Sequence, residues 1–304
     1  MFIFRPSLKI FKRTLDIYEE KRIKKIKPFA EMRGWKDVPY IDDGSVEHLL
    51  DIYHPAENGN NHLIFDIHGG SYAFGFKGLN YIFNSYFVAK GFSVVAINYT
   101  LVKKGTSIYN QILDIFAALH FLEKNKEKYN LSFDNFILLG DSAGGHLALL
   151  ADLVFKSPEA QEYYKIKSLP NIKIKCVAMN CAVYDFGEVV DFGKRVIHKS
   201  AMPYLFSSKY LDGDFLKMNN PAYYIRKVKP DPIFISSCRN DFLKKHSFML
   251  RDELLRQGLI HHYEFEPTLD VKVAHVYNLV LPDSKQGKRT NDAMADFFLR
   301  DFTK

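Results

Sequence analysis

From residue 62 onward, short apolar runs alternate with longer stretches in which apolar residues recur at helical spacing. This alternation constrains the fold more than any other feature, because strand–helix–strand repeats produce a mostly parallel sheet with helices on both faces. The predicted strands are 48–54, 62–68, 92–99, 136–140, 173–180, 232–238 and 261–266, and the predicted helices are 80–90, 107–128, 143–156, 246–257 and 290–301. The early runs at 35–41 and 48–54 have no helix between them, which predicts an antiparallel hairpin that opens the sheet.

Two segments depart from this alternation. Residues 1–30 contain nine Lys or Arg against three Asp or Glu, so nearly all of the formal net charge of +7 lies there. Their helical spacing of apolar positions predicts an amphipathic helix packed on the body, with a membrane-surface helix as the alternative. Residues 186–229 are long, aromatic-rich and weakly periodic, which predicts a helical insertion rather than a structureless loop. We therefore expect an α/β domain over 31–304, with a cap formed by this insertion and residues 1–30.

Composition and charge exclude several classes of protein. With 304 residues, 47% of them hydrophobic, the chain can form the core of one large domain. Beyond residue 30 the charge is close to neutral, so no basic nucleic-acid-binding face is predicted. No apolar run reaches a signal-peptide core or the roughly 20 residues of a membrane span. The three cysteines cannot all pair and lie in apolar runs, so we expect reduced core residues of a cytoplasmic protein and no metal site.

The sequence Gly140-Asp141-Ser142-Ala143-Gly144 is the strongest local signal. It follows the strand FILL directly and precedes the helical run HLALLADLVF. In this setting G-x-S-x-G is a nucleophile elbow, a sharp turn that lifts the serine hydroxyl above the sheet and starts a helix. An ordinary glycine-rich strand-to-helix turn is the alternative. We predict that Ser142 is a catalytic nucleophile.

A second glycine pair, in His68-Gly69-Gly70-Ser71-Tyr72, follows the strand LIFDI about 70 residues before the elbow. Acyl transfer places negative charge on a carbonyl oxygen, and fixed backbone N–H donors stabilise that charge. We assign Gly69 and Gly70 as two donors of this oxyanion hole. The amide of Ala143 is the third donor. Ser71 and Tyr72 are predicted to line the substrate pocket, and His68 to shape the loop.

In α/β folds with a G-x-S-x-G elbow, the serine comes first along the chain, an Asp or Glu second and the catalytic His third. Asp241 ends the strand run PIFISSCRND at the sheet edge where sites of open α/β folds lie, and is the predicted acid. Asp231, Asp270 and Asp283 are its competitors. His275, in the loop before the last helix, is the predicted base. The other downstream histidines begin a helix or lie in the last strand: His246, His261 and His262.

These elements together resemble the hormone-sensitive-lipase-like carboxylesterases of the α/β-hydrolase superfamily, from about residue 48 to the C-terminus. HGGSYAFG is similar to the family's HGG(G)-W/F-x-x-G loop, and GDSAGGHLA is similar to its elbow. Asn98-Tyr99-Thr100-Leu101, with Asp114 and Ala118, is similar to the family's D-Y-R-L-A-P-E segment and the helix that follows it. Asp241-Phe242-Leu243 is similar to the motif D-P/F-L, and His275-Val276-Tyr277 is similar to the motif H-x-F.

The resemblance implies hydrolysis of small-molecule acyl esters without a cofactor, a preference for short acyl chains, and a cap from N-terminal and inserted residues. The chain departs from the family pattern at Ser71 and at Val102-Lys103-Lys104, near the expected pocket. A sugar deacetylase or aryl formamidase with the same triad is one alternative. A catalytically inactive receptor and a lipase anchored by residues 1–30 are two others.

We expect a preference for acyl chains of about two to six carbons. In an open pocket each further buried methylene would strengthen binding by about 0.8 kcal/mol, whereas bulky aromatic side chains over the serine would close the pocket to longer chains. The insertion and the glycine loop supply these aromatics: Phe186, Phe192, Tyr204, Phe206, Tyr210, Tyr72 and Phe74. The alternative is that these side chains only pack the insertion against the body.

Overall fold

The computed structural model describes residues 26–57, 59–103, 105–190 and 213–302. Within them eight strands form one sheet. The strands are β1 (Arg33–Pro39), β2 (Leu49–His54), β3 (His62–Ile67), β4 (Ser93–Ile97), β5 (Asn135–Asp141), β6 (Ile174–Asn180), β7 (Ile233–Cys238) and β8 (His261–Glu266).

The strand order is β1-β2-β4-β3-β5-β6-β7-β8. β1 pairs antiparallel with β2, and β2 pairs antiparallel with β4. Every other neighbouring pair is parallel. The opening hairpin and the mostly parallel sheet predicted from the sequence are confirmed.

Helices connect and flank these strands. They are α1 (Tyr81–Ala89), α2 (Ile108–Lys124), α3 (Ala143–Lys156), α4 (Pro158–Tyr164), α5 (Gly213–Met218), α6 (Pro221–Tyr224), α7 (Lys244–Arg256), α8 (Tyr277–Val280) and α9 (Lys285–Leu299). Short 3₁₀ turns cover Val46–His48 and Lys77–Asn80. The five predicted helices are confirmed, although α9 begins five residues before the predicted start at 290.

Parts of the predicted insertion are helical, namely residues 186–190, α5 and α6. Residues 191–212, and with them Phe192, Tyr204, Phe206 and Tyr210, lie outside the described residues, as do residues 1–25. The cap and the N-terminal helix therefore stay predictions.

The sheet separates two apolar cores, because successive side chains of a strand point to opposite faces. On one face Leu63 and Phe65 pack with α2, α3 and α7. On the other face Ile64 packs with α1 and α9. Cys176, Cys181 and Cys238 are buried and free of disulfides, as the sequence predicted.

The described end of the N-terminal segment is fixed to the body. The Phe29 amide donates to Ser85 Oγ over 3.0 Å, and the Phe29 ring packs edge-on against Tyr86. Among the described residues, no helix combines the length and the apolar character needed to cross a bilayer.

The predicted site residues follow the carboxyl ends of neighbouring strands. The glycine loop follows β3, Ser142 follows β5, Asp241 follows β7, and His275 follows β8. Because parallel strands end at the same edge of a sheet, the fold collects these residues on one side of the molecule.

Candidate active site

Ser142 occupies a strained turn between β5 and α3. Its φ of 53° and ψ of −117° lie in a region that non-glycine residues rarely adopt. The turn is held because the Ser142 amide donates to the Asn180 carbonyl over 2.9 Å. Gly144 is required next to it, since a Cβ there would collide with the carbonyl oxygen of Ile67 on β3. The structure thus gives Ser142 the geometry of a nucleophile elbow at the N-terminus of a 14-residue helix.

His275 and Asp241 form a hydrogen-bonded pair. His275 Nδ1 lies 2.8 Å from Asp241 Oδ1, and the side chain of Asp241 is completely buried while that of His275 is 21% exposed. A carboxylate only accepts, so Nδ1 carries the proton in this pair and Nε2 is left as an acceptor. The pair therefore has the tautomer that a general base requires.

Asp241 is held on both carboxylate oxygens. The Leu243 amide donates to Oδ1 and the Ser237 hydroxyl donates to Oδ2, each over 2.9 Å. Both partners come from β7 or the turn that follows it. Because the carboxylate has two further fixed donors, it presents Oδ1 to His275 in one orientation.

The loops that carry the acid and the base are joined to each other. Asn240 Nδ2 donates to the carbonyls of Asp270 and Val273 over 2.9 and 3.0 Å. Asn240 and Ala274 also form an isolated parallel β-bridge. The residues that precede Asp241 and His275 are therefore tied directly to one another.

The oxyanion-loop assignment needs one correction. The Gly69 amide donates to Asp141 Oδ1 over 2.9 Å, so it is directed at a side chain and not at a substrate. Gly69 is a glycine because a Cβ would collide with that same carboxylate. The prediction of Gly69 as an oxyanion donor is therefore wrong.

The next backbone amides along the loop have no hydrogen-bond acceptor among the described residues. Gly70 has a φ of +127° and Ser71 a φ of 51°, so the chain turns sharply at these two residues. Within the described part of the chain, the amides of Gly70, Ser71 and Ala143 donate to no protein acceptor. These three N–H groups can serve an oxyanion.

A buried polar network lies beneath the loop, and no sequence motif pointed to it. Asn80 Nδ2 donates to Asp66 Oδ1 over 3.0 Å and to Asp141 Oδ1 over 2.9 Å. Asn84 Nδ2 donates to Asp66 Oδ2 over 2.7 Å. Burial raises the pKa of Asp66 to about 7, with a further increase from the charge of Asp141. The network ties α1 and its preceding 3₁₀ turn to the residue before the elbow serine.

Asp141 also links the elbow electrostatically to the acid–base pair. Burial raises its pKa, whereas the hydrogen bonds from Asn80 and the Gly69 amide lower it, and the electrostatic influence of His275 lowers it further. His275 therefore lies within electrostatic range of the residue that precedes Ser142.

Three other histidines of the described chain are held by contacts within the protein core and do not pair with Asp241. Burial lowers the pKa of His146 to about 3, and its Nε2 contacts the Asn219 carbonyl at 2.9 Å. His246 is buried and its Nδ1 accepts the amide of Asp185. His262 stacks on Phe234 with ring centroids 5.1 Å apart.

His68 shapes the glycine loop, as predicted. Its Nδ1 contacts the Gly69 carbonyl at 2.7 Å, and its ring stacks on Tyr99 at a centroid distance of 4.4 Å. The Tyr99 hydroxyl donates to the His68 carbonyl over 2.6 Å.

The two predicted pocket residues differ in exposure. Ser71 is exposed, whereas Tyr72 is 2% exposed and packs edge-on against the rings of His146 and Phe186. Tyr72 thus lies beneath the glycine loop, and its contact with substrate stays a prediction.

Cys181 brings a thiol to the acid–base pair. Its Sγ, a carboxylate oxygen of Asp241 and a ring nitrogen of His275 lie within 4.8 Å of one another. Burial and the charge of Asp241 raise the pKa of the Cys181 thiol well above its usual value. A protonated thiol is a weak hydrogen-bond donor, so Cys181 can support the Asp241 carboxylate beside His275.

The fold and the site together define an α/β hydrolase. Residues 50–254, more than half of the chain, match the model of the BD-FAE family, and the chain belongs to that family.

Two relatives from Mycobacterium tuberculosis are similar over most of the chain. The probable carboxylic ester hydrolase LipM is 28% identical over 222 residues, which are 68% of this chain and 48% of LipM. The esterase LipQ is 28% identical over 208 residues, which are 66% of this chain and 47% of LipQ. The chain thus spans about half the length of these curated relatives.

The fold is shared with esterase B from Lactobacillus rhamnosis. Its crystal structure with a C6-C4 SN3 inhibitor has a TM-score of 0.87 at 23% identity, covering 96% of this chain and 94% of that chain. A second structure of the same esterase, with a C4-C4 SN3 tributyrin phosphonate, has a TM-score of 0.86 at 23% identity and covers 96% and 93%. The predicted α/β-hydrolase fold is confirmed.

Proposed function

We propose that this protein is a serine carboxylesterase in which Ser142 is the nucleophile, His275 the general base and Asp241 its partner. The observation that carries the proposal is the 2.8 Å pair of His275 and Asp241 at the sheet edge that also holds the strained elbow of Ser142. The names of LipM and LipQ support ester hydrolysis as the reaction class.

The proposed reaction uses the tautomer of His275 in which Nδ1 carries the proton. His275 Nε2 accepts the proton of the Ser142 hydroxyl as Oγ attacks the ester carbonyl carbon. Asp241 stabilises the imidazolium that forms, and the amides of Gly70, Ser71 and Ala143 stabilise the oxyanion. His275 then gives its proton to the departing alcohol, which leaves an acyl group on Ser142. Water, deprotonated by His275, then attacks the acyl carbon. The bond between this carbon and Ser142 Oγ breaks, His275 returns its proton to Oγ, and the acid leaves.

We also propose a preference for short acyl chains under a cap that residues 186–229 and the N-terminal segment provide. Phe186, the first residue of this segment, supports the cap, because it packs on Tyr72 of the glycine loop. The C4-C4 phosphonate on esterase B is a second support, since it is a short-chain compound on a protein of the same fold.

The test is a panel of p-nitrophenyl esters from acetyl to palmitoyl, with aryl formamides and acetylated sugars beside them. We expect kcat/KM to be highest at about two to six carbons and to drop sharply beyond, because a closed pocket cannot bury further methylenes. A rate that still rises at about ten to twelve carbons would contradict the short-chain proposal and indicate a lipase. Faster turnover of formamides or acetylated sugars would reassign the substrate class.

A further inference from the structure

Phe242 combines high exposure with contact to the proposed base. Its side chain is 73% exposed, which is unusual for a large aromatic residue. Its ring centroid nevertheless lies 4.3 Å from that of the His275 imidazole, with an angle of 42° between the planes. The ring thus covers part of the base and offers its remaining surface to solvent at the site.

The position of Phe242 is fixed by the turn that holds the acid. The Leu243 amide donates to Asp241 Oδ1 over 2.9 Å, and the Lys244 amide donates to the Asp241 carbonyl over 3.3 Å. Phe242 lies between these bonds, so its backbone has little freedom. The aromatic ring is therefore held beside His275 by the same turn that positions Asp241.

The chemistry of the proposed reaction indicates which part of a substrate lies next to the Phe242 ring. The carbonyl oxygen of the ester lies at the amides of Gly70, Ser71 and Ala143. The departing alcohol must lie at His275, because His275 Nε2 protonates its oxygen. A side chain in contact with the His275 ring is consequently on the alcohol side of the site.

A neighbouring loop carries further exposed apolar side chains. Leu269 is 72% exposed and Val271 is 80% exposed. Both flank Asp270, whose carbonyl accepts a hydrogen bond from Asn240 over 2.9 Å. The loop that Asn240 ties to the acid turn thus carries two further exposed apolar side chains.

We propose that Phe242 is a specificity-determining residue that contacts the alcohol group of the ester and favours aromatic over small alcohols. This inference rests on the proposed serine-esterase function. An aromatic alcohol can pack against the exposed part of the Phe242 ring, whereas an ethyl group covers little of it.

The test compares benzyl butyrate with ethyl butyrate, which share an acyl group and have alcohols of similar basicity. We expect Phe242→Ala to lower the benzyl-to-ethyl ratio of kcat/KM by about three- to tenfold, the range of one aromatic contact. Phe242→Tyr keeps the ring and should keep the ratio. The ratio of benzyl acetate to benzyl butyrate should stay unchanged in both variants. Leu255→Ala, an exposed apolar residue near the far end of α7, is the control.

An unchanged benzyl-to-ethyl ratio in Phe242→Ala would overturn the inference and leave the esterase proposal standing. An equal loss for both esters would also overturn it, because the ring would then act only through His275. Failure of the wild-type protein to hydrolyse either ester, together with no labelling of Ser142 by a fluorophosphonate, would overturn the esterase proposal and this inference with it.

Discussion

The amide of Gly69 donates to Asp141 Oδ1 over 2.9 Å and thereby joins the glycine loop to the nucleophile elbow. The same oxygen accepts Asn80 Nδ2, so one buried carboxylate holds the loop, the elbow and the turn before α1 together. In the proposed mechanism, the distance between the oxyanion donors and Ser142 therefore depends on the Asp141 carboxylate.

Asp141→Ala should reduce kcat/KM by about ten- to a hundredfold, somewhat less than the 10²–10³ that loss of a complete oxyanion donor costs. The loop would lose its acceptor and the amides of Gly70 and Ser71 would shift. Asp141→Asn retains an accepting oxygen and should lose less. The exposed Asp134→Ala is the control. Full activity of Asp141→Ala, measured by ester hydrolysis on protein with a native circular dichroism spectrum, would refute this role.

His275→Ala should lower kcat by about 10⁴, because the serine hydroxyl then has no base and the alcohol no acid. Asp241→Asn should lower kcat by about as much or somewhat less, because an amide at this position favours the His275 tautomer in which Nε2 carries the proton. His246→Ala and His262→Ala test the alternative bases. The assignment is wrong if either of these abolishes hydrolysis while His275→Ala retains it.

Asp66 should make stability depend on pH. Its pKa is raised to about 7 by burial, whereas a carboxyl in the unfolded chain titrates near 4. Between about pH 4 and pH 7 the folded protein thus binds more protons than the unfolded chain, and this group lowers the free energy of unfolding as pH rises.

Asp66→Asn removes this titration, so wild type should lose stability relative to the variant across that interval. Asn84 Oδ1 has no partner among the described residues and can accept from the new amide after a flip. Urea unfolding at several pH values measures the difference, and contributions from other groups cancel in it. Parallel stability curves for the two proteins would be inconsistent with the raised pKa.

The sequence predicted the elements whose signals are local. The apolar runs predicted the strands within one or two residues, and G-x-S-x-G after a strand located Ser142 at the end of β5. Chain order alone selected Asp241 and His275, and the structure brings these two together. The helix α4 was missed, although Ser157-Pro158 is an N-cap followed by proline at the first helical position.

What depends on contacts distant in sequence could not be predicted in this way. The Gly69 amide cannot serve an oxyanion because it donates to the Asp141 side chain, 72 residues further along the chain. The network of Asp66, Asn80 and Asn84 likewise joins β3 to α1 and has no sequence motif. Polar side chains in an apolar run predict burial with a partner, but they do not identify the partner.

Labelling with a fluorophosphonate probe, followed by peptide mass spectrometry, tests the nucleophile most directly. The strained turn at Ser142, and the pair of His275 and Asp241 at the same sheet edge, predict rapid modification of Ser142 alone. Ser142→Ala should show no labelling and no ester hydrolysis above background. Labelling of Ser142→Ala at the wild-type level, or modification of a different serine in the wild-type protein, would contradict the account.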